Sequence, residues 1–161
     1  MSNGNSKMSI LMFSGDYDKA LAALILANSA RDLNIEVSMF FAFWGLFLVK
    51  NPNNIPEGEK TTMEKMFANM TPKHIEDLPL SKMNFAGIGK KLLVDMMEDT
   101  NTPKLSDFLN GALKKGVSMK ACKLSCEVMG IGEEELLKEV SIATAEDYII
   151  DALNSDIQLF I

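Results

Sequence analysis

Met8 to Phe13 (MSILMF) is a short apolar run that leads into a Ser14-Gly15-Asp16-Tyr17 turn, and Ala20, Leu21, Leu24, Ile25 and Asn28 then recur with helical spacing. A second apolar run, Ile35 to Phe41, follows that helix. This strand, helix, strand succession constrains the fold more than any other feature, because a crossover of this kind returns the second strand parallel to the first and right-handed. Strands of a parallel sheet are covered on both faces and read as nearly continuous apolar runs, as these do. The expected architecture is α/β with a mainly parallel sheet.

Most of the remaining chain continues the alternation. After Asn84-Phe85-Ala86-Gly87-Ile88-Gly89, a helical segment reaches about Glu98, and the glycines allow a tight helix entry. The Gly-x-Gly there lacks the third glycine and downstream acid of a dinucleotide site, so no nucleotide is expected. Lys104 to Lys115 forms another helix with Gly116 as its stop, and a strand ending at Cys122 follows. Glu133 to Glu139 begins a short acidic helix, Ala145 to Asn154 is helical in pattern, and Ile157 to Ile161 (IQLFI) has strand composition. Residues 1–7 read as a flexible polar tail and 8–161 as a single domain. Residues 51–79, rich in proline and asparagine, interrupt it as an insertion, with one short helix at Met63 to Met70. This insertion is either a solvated loop or a lid; His74 within it, the lone histidine, flanked by Lys73, Glu76 and Asp77, reads as an exposed residue.

A formal net charge of −6 over 161 residues argues against a nucleic-acid partner, which requires a concentrated basic surface. Two cysteines and no apolar leader suggest a reducing, cytoplasmic setting. Val37 to Val49 (VSMFFAFWGLFLV) is too short to span a bilayer, which takes about 20 apolar residues. It reads as a buried strand that stops near Gly45 and passes into a helical turn. Phe43, Trp44, Leu46 and Phe47 are then core residues, or a partner surface, or the wall of a pocket.

The chemistry concentrates in Gly116 to Gly130 (GVSMKACKLSCEVMG), where a strand passes directly into a helix at Cys122. Backbone N–H groups at a helix start favour a thiolate, the nucleophilic form, and Lys120 and Lys123 flank the residue with positive charge. The competing reading is a small buried thiol. If the helix starts at Cys122, Cys126 lies one turn on and faces the same side. It is then a resolving thiol, a metal ligand short of partners, or a core residue; no metal site is expected. Ligands of open α/β sheets bind beyond the carboxyl ends of the strands. Cys122, the Ser14 to Tyr17 turn with Ser14, Gly15 and Asp16, and the Ala42 to Leu46 segment with Phe43, Trp44 and Gly45 are therefore expected to share one cleft.

The opening strand with Ser14-Gly15-Asp16, the segment Phe41-Ala42-Phe43-Trp44-Gly45-Leu46, the element Lys82 to Gly89, and Ala121-Cys122 with Val128-Met129-Gly130-Ile131 together resemble the DsrE/DsrF-like proteins, in the branch labelled DrsE-like or peroxiredoxin-family accessory. The resemblance spans nearly the whole chain. It implies a flavodoxin-like three-layer sandwich, and a sulfurtransferase or sulfur-relay role in which Cys122 carries sulfane sulfur as a persulfide. It further implies no cofactor, homo-oligomeric assembly, and donor and acceptor proteins or low-molecular-weight persulfides as partners. Many relatives have methionine where Cys126 stands, so a two-cysteine mechanism does not follow. The rivals are a non-catalytic small-ligand or protein-binding module with an aromatic cleft, and a membrane-associated scaffold in which Phe40 to Leu48 contacts a bilayer or a membrane partner.

Overall fold

A computed structural model describes residues 6–54 and 60–161. Strands β1 (Lys7–Met12), β2 (Glu36–Phe41), β3 (Ser118–Cys122), β4 (Val140–Ala143) and β5 (Ile157–Phe160) form one sheet in the order β4-β3-β2-β1-β5, with every pairing parallel. The helices are α1 (Tyr17–Asp32), α2 (Thr62–Met70), α3 (Ile88–Asp99), α4 (Leu105–Lys114), α5 (Lys123–Met129) and α6 (Ala145–Leu153). Short 3₁₀ segments at Phe43–Leu48, Ile75–Asp77, Phe85–Gly87 and Glu133–Glu135 connect them. Among the described residues no helix is long and apolar enough to cross a membrane.

The handedness of the crossovers fixes the layers. The chain steps from β1 through β2 and β3 to β4 in one direction, which puts α1, α4 and α5 on one face; the return from β4 to β5 puts α6 on the other. Alternation along the strands then sorts the side chains. Met8, Ile10, Met12, Met39, Phe41, Met119 and Ala121 enter the main core beneath α1 and α4. Phe40, Ala42, Cys122 and Ala143 form a separate small cluster, with Leu11 and Tyr148 of α6 packed against it.

Several boundaries differ from the sequence reading. Lys7 belongs to β1, and Ser6 O accepts a hydrogen bond from Glu36 N at 2.9 Å, so the tail as read overruns into the sheet; residues 1–5 lie outside the described residues. The acidic helix expected from Glu133 is a single 3₁₀ turn, after which Leu136 is extended and Val140–Ala143 becomes a strand. The physical reason is cross-chain pairing: Lys50 bridges antiparallel to Leu136, and Leu137 N donates to Val49 O at 2.9 Å, which holds the segment extended. Of the insertion, residues 55–59 lie outside the described residues. Its later part, and Ser81 just beyond it, are tied to α1: Tyr17 N donates to Pro79 O at 2.8 Å, Tyr17 Oη donates to Glu76 Oε2 at 3.2 Å, and Ser81 N donates to Asp18 Oδ1 at 2.8 Å. Burial pushes the Tyr17 hydroxyl up to about 12, with the Glu76 carboxylate adding to the shift.

Candidate functional site at the carboxyl edge of the sheet

Two turns interlock where β1 and β2 end. Ala42 N donates to Met12 O and Gly45 N to Phe13 O, both at 3.0 Å, so the chain leaving β2 folds down over the end of β1. A Cβ on Gly45 would lie 2.0 Å from Met12 O, and one on Gly15 would lie 2.9 Å from Trp44 O; only glycine permits either approach. Phe43 takes φ +48 to make this turn, an unfavourable backbone for a bulky residue.

The turns wall a cavity of about 450 Å³ lined by Phe13, Ser14, Gly15, Asp16, Lys19, Trp44 and Phe47, and closed by Met70, Thr71, Pro72 and Pro79 from the insertion. Its polar end is the Lys19 ammonium, 3.0 Å from an Asp16 carboxylate oxygen and 3.4 Å from Ser14 Oγ. Trp44 also faces a second apolar slot of about 370 Å³, where Phe43, Met63 and Phe67 meet Val128 and Met129 of α5. Ser14, Gly15, Asp16 and Trp44 are thus brought to one cavity. Cys122 lines neither cavity.

Cys122 closes β3 and is the N-cap of α5, with extended backbone (φ −64, ψ 117) and no capping hydrogen bond from its side chain. It pairs in register with Ala143 and lies in the small cluster on the α6 side, where the Phe40 and Tyr148 rings meet at a tilt of 33° with centroids 5.1 Å apart. At 9% exposure it is buried, like the other members of that cluster. Cys126, 6% exposed, belongs to the main core instead. The two thiols thus occupy different clusters rather than one helix face, because Cys122 precedes the helix and does not follow helical spacing. Burial pushes the Cys126 thiol up to about 11, with smaller contributions from Cys122, Glu127 and Glu135. Lys120 shares the Cys122 face of β3, but its ammonium is held 2.5 Å from Asp151 of α6. Lys123 is exposed.

A buried charge group escaped sequence reasoning. Glu135, 1% exposed, pairs with Lys60 and accepts from Gly132 N at 3.2 Å, and it lines a cavity of about 280 Å³ together with Cys126. Lys50 is buried nearby, its ammonium 5.7 Å from the Phe47 ring centre, and burial pushes its pKa down. No local pattern marks either residue, since Glu133-Glu134-Glu135 reads as a solvated helix start and Lys50 as the end of an apolar run. Of the apolar segment once open to a bilayer reading, Phe40, Phe41, Leu46, Phe47 and Leu48 are buried, and Phe43 and Trp44 alone are exposed. His74 caps the 3₁₀ turn that follows it, its Nδ1 accepting from Glu76 N at 3.1 Å. Among the described residues no group of three or more His, Cys, Asp or Glu is placed to hold a metal.

Comparison with known proteins covers the chain almost end to end. The model of the DsrE/DsrF/DrsH-like family matches residues 4–160. The uncharacterized protein YrkE of Bacillus subtilis is 38% identical over 161 residues, covering 100% of both chains. Sulfur carrier protein DsrE2 of Allochromatium vinosum is 27% identical over 158 residues, covering 96% of this chain and 98% of its own. Among solved structures, the ychN protein from E. coli superposes with a TM-score of 0.55 at 16% identity, over 97% of this chain and 99% of that one, a likeness of fold alone.

Proposed function

The chain belongs to the DsrE/DsrF/DrsH-like family, and from that premise we propose that it is a sulfur-relay protein that carries sulfane sulfur as a persulfide on Cys122. The observation that carries the reading is the placement of Cys122 at the carboxyl end of β3, where the strand gives way to α5 and the thiol is buried in a small cluster on the α6 side, apart from the main core. The likeness to a protein named as a sulfur carrier supports the same role.

The chemistry needs only thiols. The Cys122 thiolate attacks the outer sulfur of a donor persulfide; the new S–S bond forms as the donor's S–S bond breaks, and the electron pair leaves on the donor thiolate. In the outgoing step an acceptor thiolate attacks the outer sulfur of the Cys122 persulfide, and Cys122 departs as thiolate. Oxidation state is conserved overall, so neither step calls for a metal or an organic cofactor. The donors and acceptors are proteins or low-molecular-weight persulfides of a reducing cytoplasm. Cys126, held protonated by burial at neutral pH, takes no part.

The test is to incubate reduced protein with a sulfane-sulfur donor and weigh intact protein and peptides. Wild type and Cys126→Ala should gain one sulfur and Cys122→Ala none. Loss in both single variants would mean a two-thiol relay, and no gain in wild type would sink the carrier reading. One observation favours a second reading in that event: the preformed aromatic cavity of about 450 Å³ with its Lys19–Asp16 end suits a small-ligand binding module.

A further inference from the structure

We propose that α3 is the centre of a two-fold interface between two copies of this chain, formed by antiparallel packing of α3 against α3 of the second copy. Only Met97 of this helix is buried. Ile88, Leu92 and Met96 recur every fourth residue along its outer side, and Phe85 and Met83 extend the stripe ahead of it; all five are 59–73% exposed. An apolar ridge of this spacing is what two helices use to pack.

The lead-in is built to keep that ridge outward. Phe85, Ala86 and Gly87 are all left-handed (φ +42, +54 and +95), and a Cβ on Gly89 would lie 1.8 Å from Met83 O. A strained turn with an exposed aromatic at its head has no stabilising purpose in an isolated chain.

Charge chooses the occupant. Residues 80–94 hold Lys82, Lys90 and Lys91 and no carboxylate, whereas Asp95, Glu98 and Asp99 crowd the other end of the helix. This order opposes the helix dipole, which favours acids at the start and bases at the end. An anionic membrane would attract one half of α3 and repel the other. A second α3 running antiparallel satisfies both, because each basic end then lies beside a partner's acidic end, dipoles included.

The ridge is self-complementary about Leu92 as well. With the axis there, Leu92 meets its own copy, Ile88 meets the partner's Met96, and Lys91 and Asp95 on one flank meet the partner's Asp95 and Lys91. Such reciprocity defines an isologous contact. Lys91 and Asp95 are exposed, and neither is in any ion pair among the described residues. Lys90 is already engaged, its ammonium bonded to Glu76 O and 5.1 Å from the Tyr17 ring centre.

Sedimentation and light scattering of the full chain in reducing buffer test this independently of sulfur chemistry. Leu92→Asp places two charges at the axis and should weaken the pair on the order of a hundredfold, halving the mass of any larger assembly. Lys91→Glu should weaken it about tenfold, and adding Asp95→Lys should restore it. In a Cys122→Ala/Cys126→Ala background, Leu92→Cys should oxidise to a covalent dimer. Circular dichroism should show all variants folded, since the substituted residues are exposed. A monomeric wild type, an unchanged mass for Leu92→Asp, or a charge swap that fails to restore association would each overturn the proposal; vesicle binding lost in Leu92→Asp by a monomer would reassign the ridge to lipid.

Discussion

Cys122 and Cys126 are four residues apart, yet their surroundings share little. One ends a strand, in a small buried cluster that includes an aromatic pair; the other lies within the main core beside a buried glutamate. Chemical identity therefore says less about a thiol than the element it occupies, because the N-cap position turns a side chain out of the helical repeat.

Substitutions can break that contrast. The largest effect is expected from Gly45→Ala, whose Cβ would meet Met12 O at 2.0 Å and unseat the 3₁₀ segment at Phe43–Leu48 from the end of β1. It should cost roughly 3 kcal/mol or more in denaturant unfolding, well beyond an ordinary surface substitution. Serine at the two thiols sharpens the comparison by sign. Cys126→Ser buries a hydroxyl in the core and should cost about 2 kcal/mol. Cys122→Ser supplies an N-cap oxygen to α5 and should be neutral or stabilising by about 0.5 kcal/mol; equal losses at both sites would erase the distinction.

The pH dependence has a definite sign. The folded Cys126 thiol titrates near 11, above its ordinary value of 9.0, so burial of the neutral thiol contributes stability that is intact below pH 9 and lost as pH rises through 11. Unfolding midpoints of wild type should fall across that window relative to Cys126→Ala, and a parallel decline would remove Cys126 as the cause. The smallest effect belongs to the partly exposed Lys120–Asp151 pair: Asp151→Asn should change stability by within about 0.5 kcal/mol and leave sulfur loading at Cys122 intact. A marked loss of loading would return Lys120 to the thiol's electrostatics.

The sequence declared what depends on local pattern and concealed what depends on partners across the chain. β1, α1 and β2 were legible because their apolar spacing answers directly to a parallel sheet, and Cys122 was legible as the end of a strand. The short β4 was not, since Val140–Ala143 becomes a strand only by register with Met119–Cys122. Glu133 to Glu139 has helical composition, but hydrogen bonds to Val49 and Asn51 keep it from winding. The shared face of the two cysteines failed for a narrower reason: which residue begins the helix decides the orientation of everything before it. Lys120 was rightly placed beside Cys122 in sequence, and nothing local could reveal Asp151 as its partner.

The pairing of β1 with β5 has a kinetic consequence. Asp156 N donates to Lys7 O at 2.9 Å and Lys7 N to Asp156 Oδ2 at 2.9 Å, contacts that close almost the full length of the chain. The first strand of the sheet is thus completed by the last, and loop closure of this span makes it among the slowest contacts to form. Until β5 arrives, β1 is an open edge of apolar strand, which pulse-labelled hydrogen exchange would detect as late protection of Ile157–Phe160, and which during synthesis is a natural target for a chaperone.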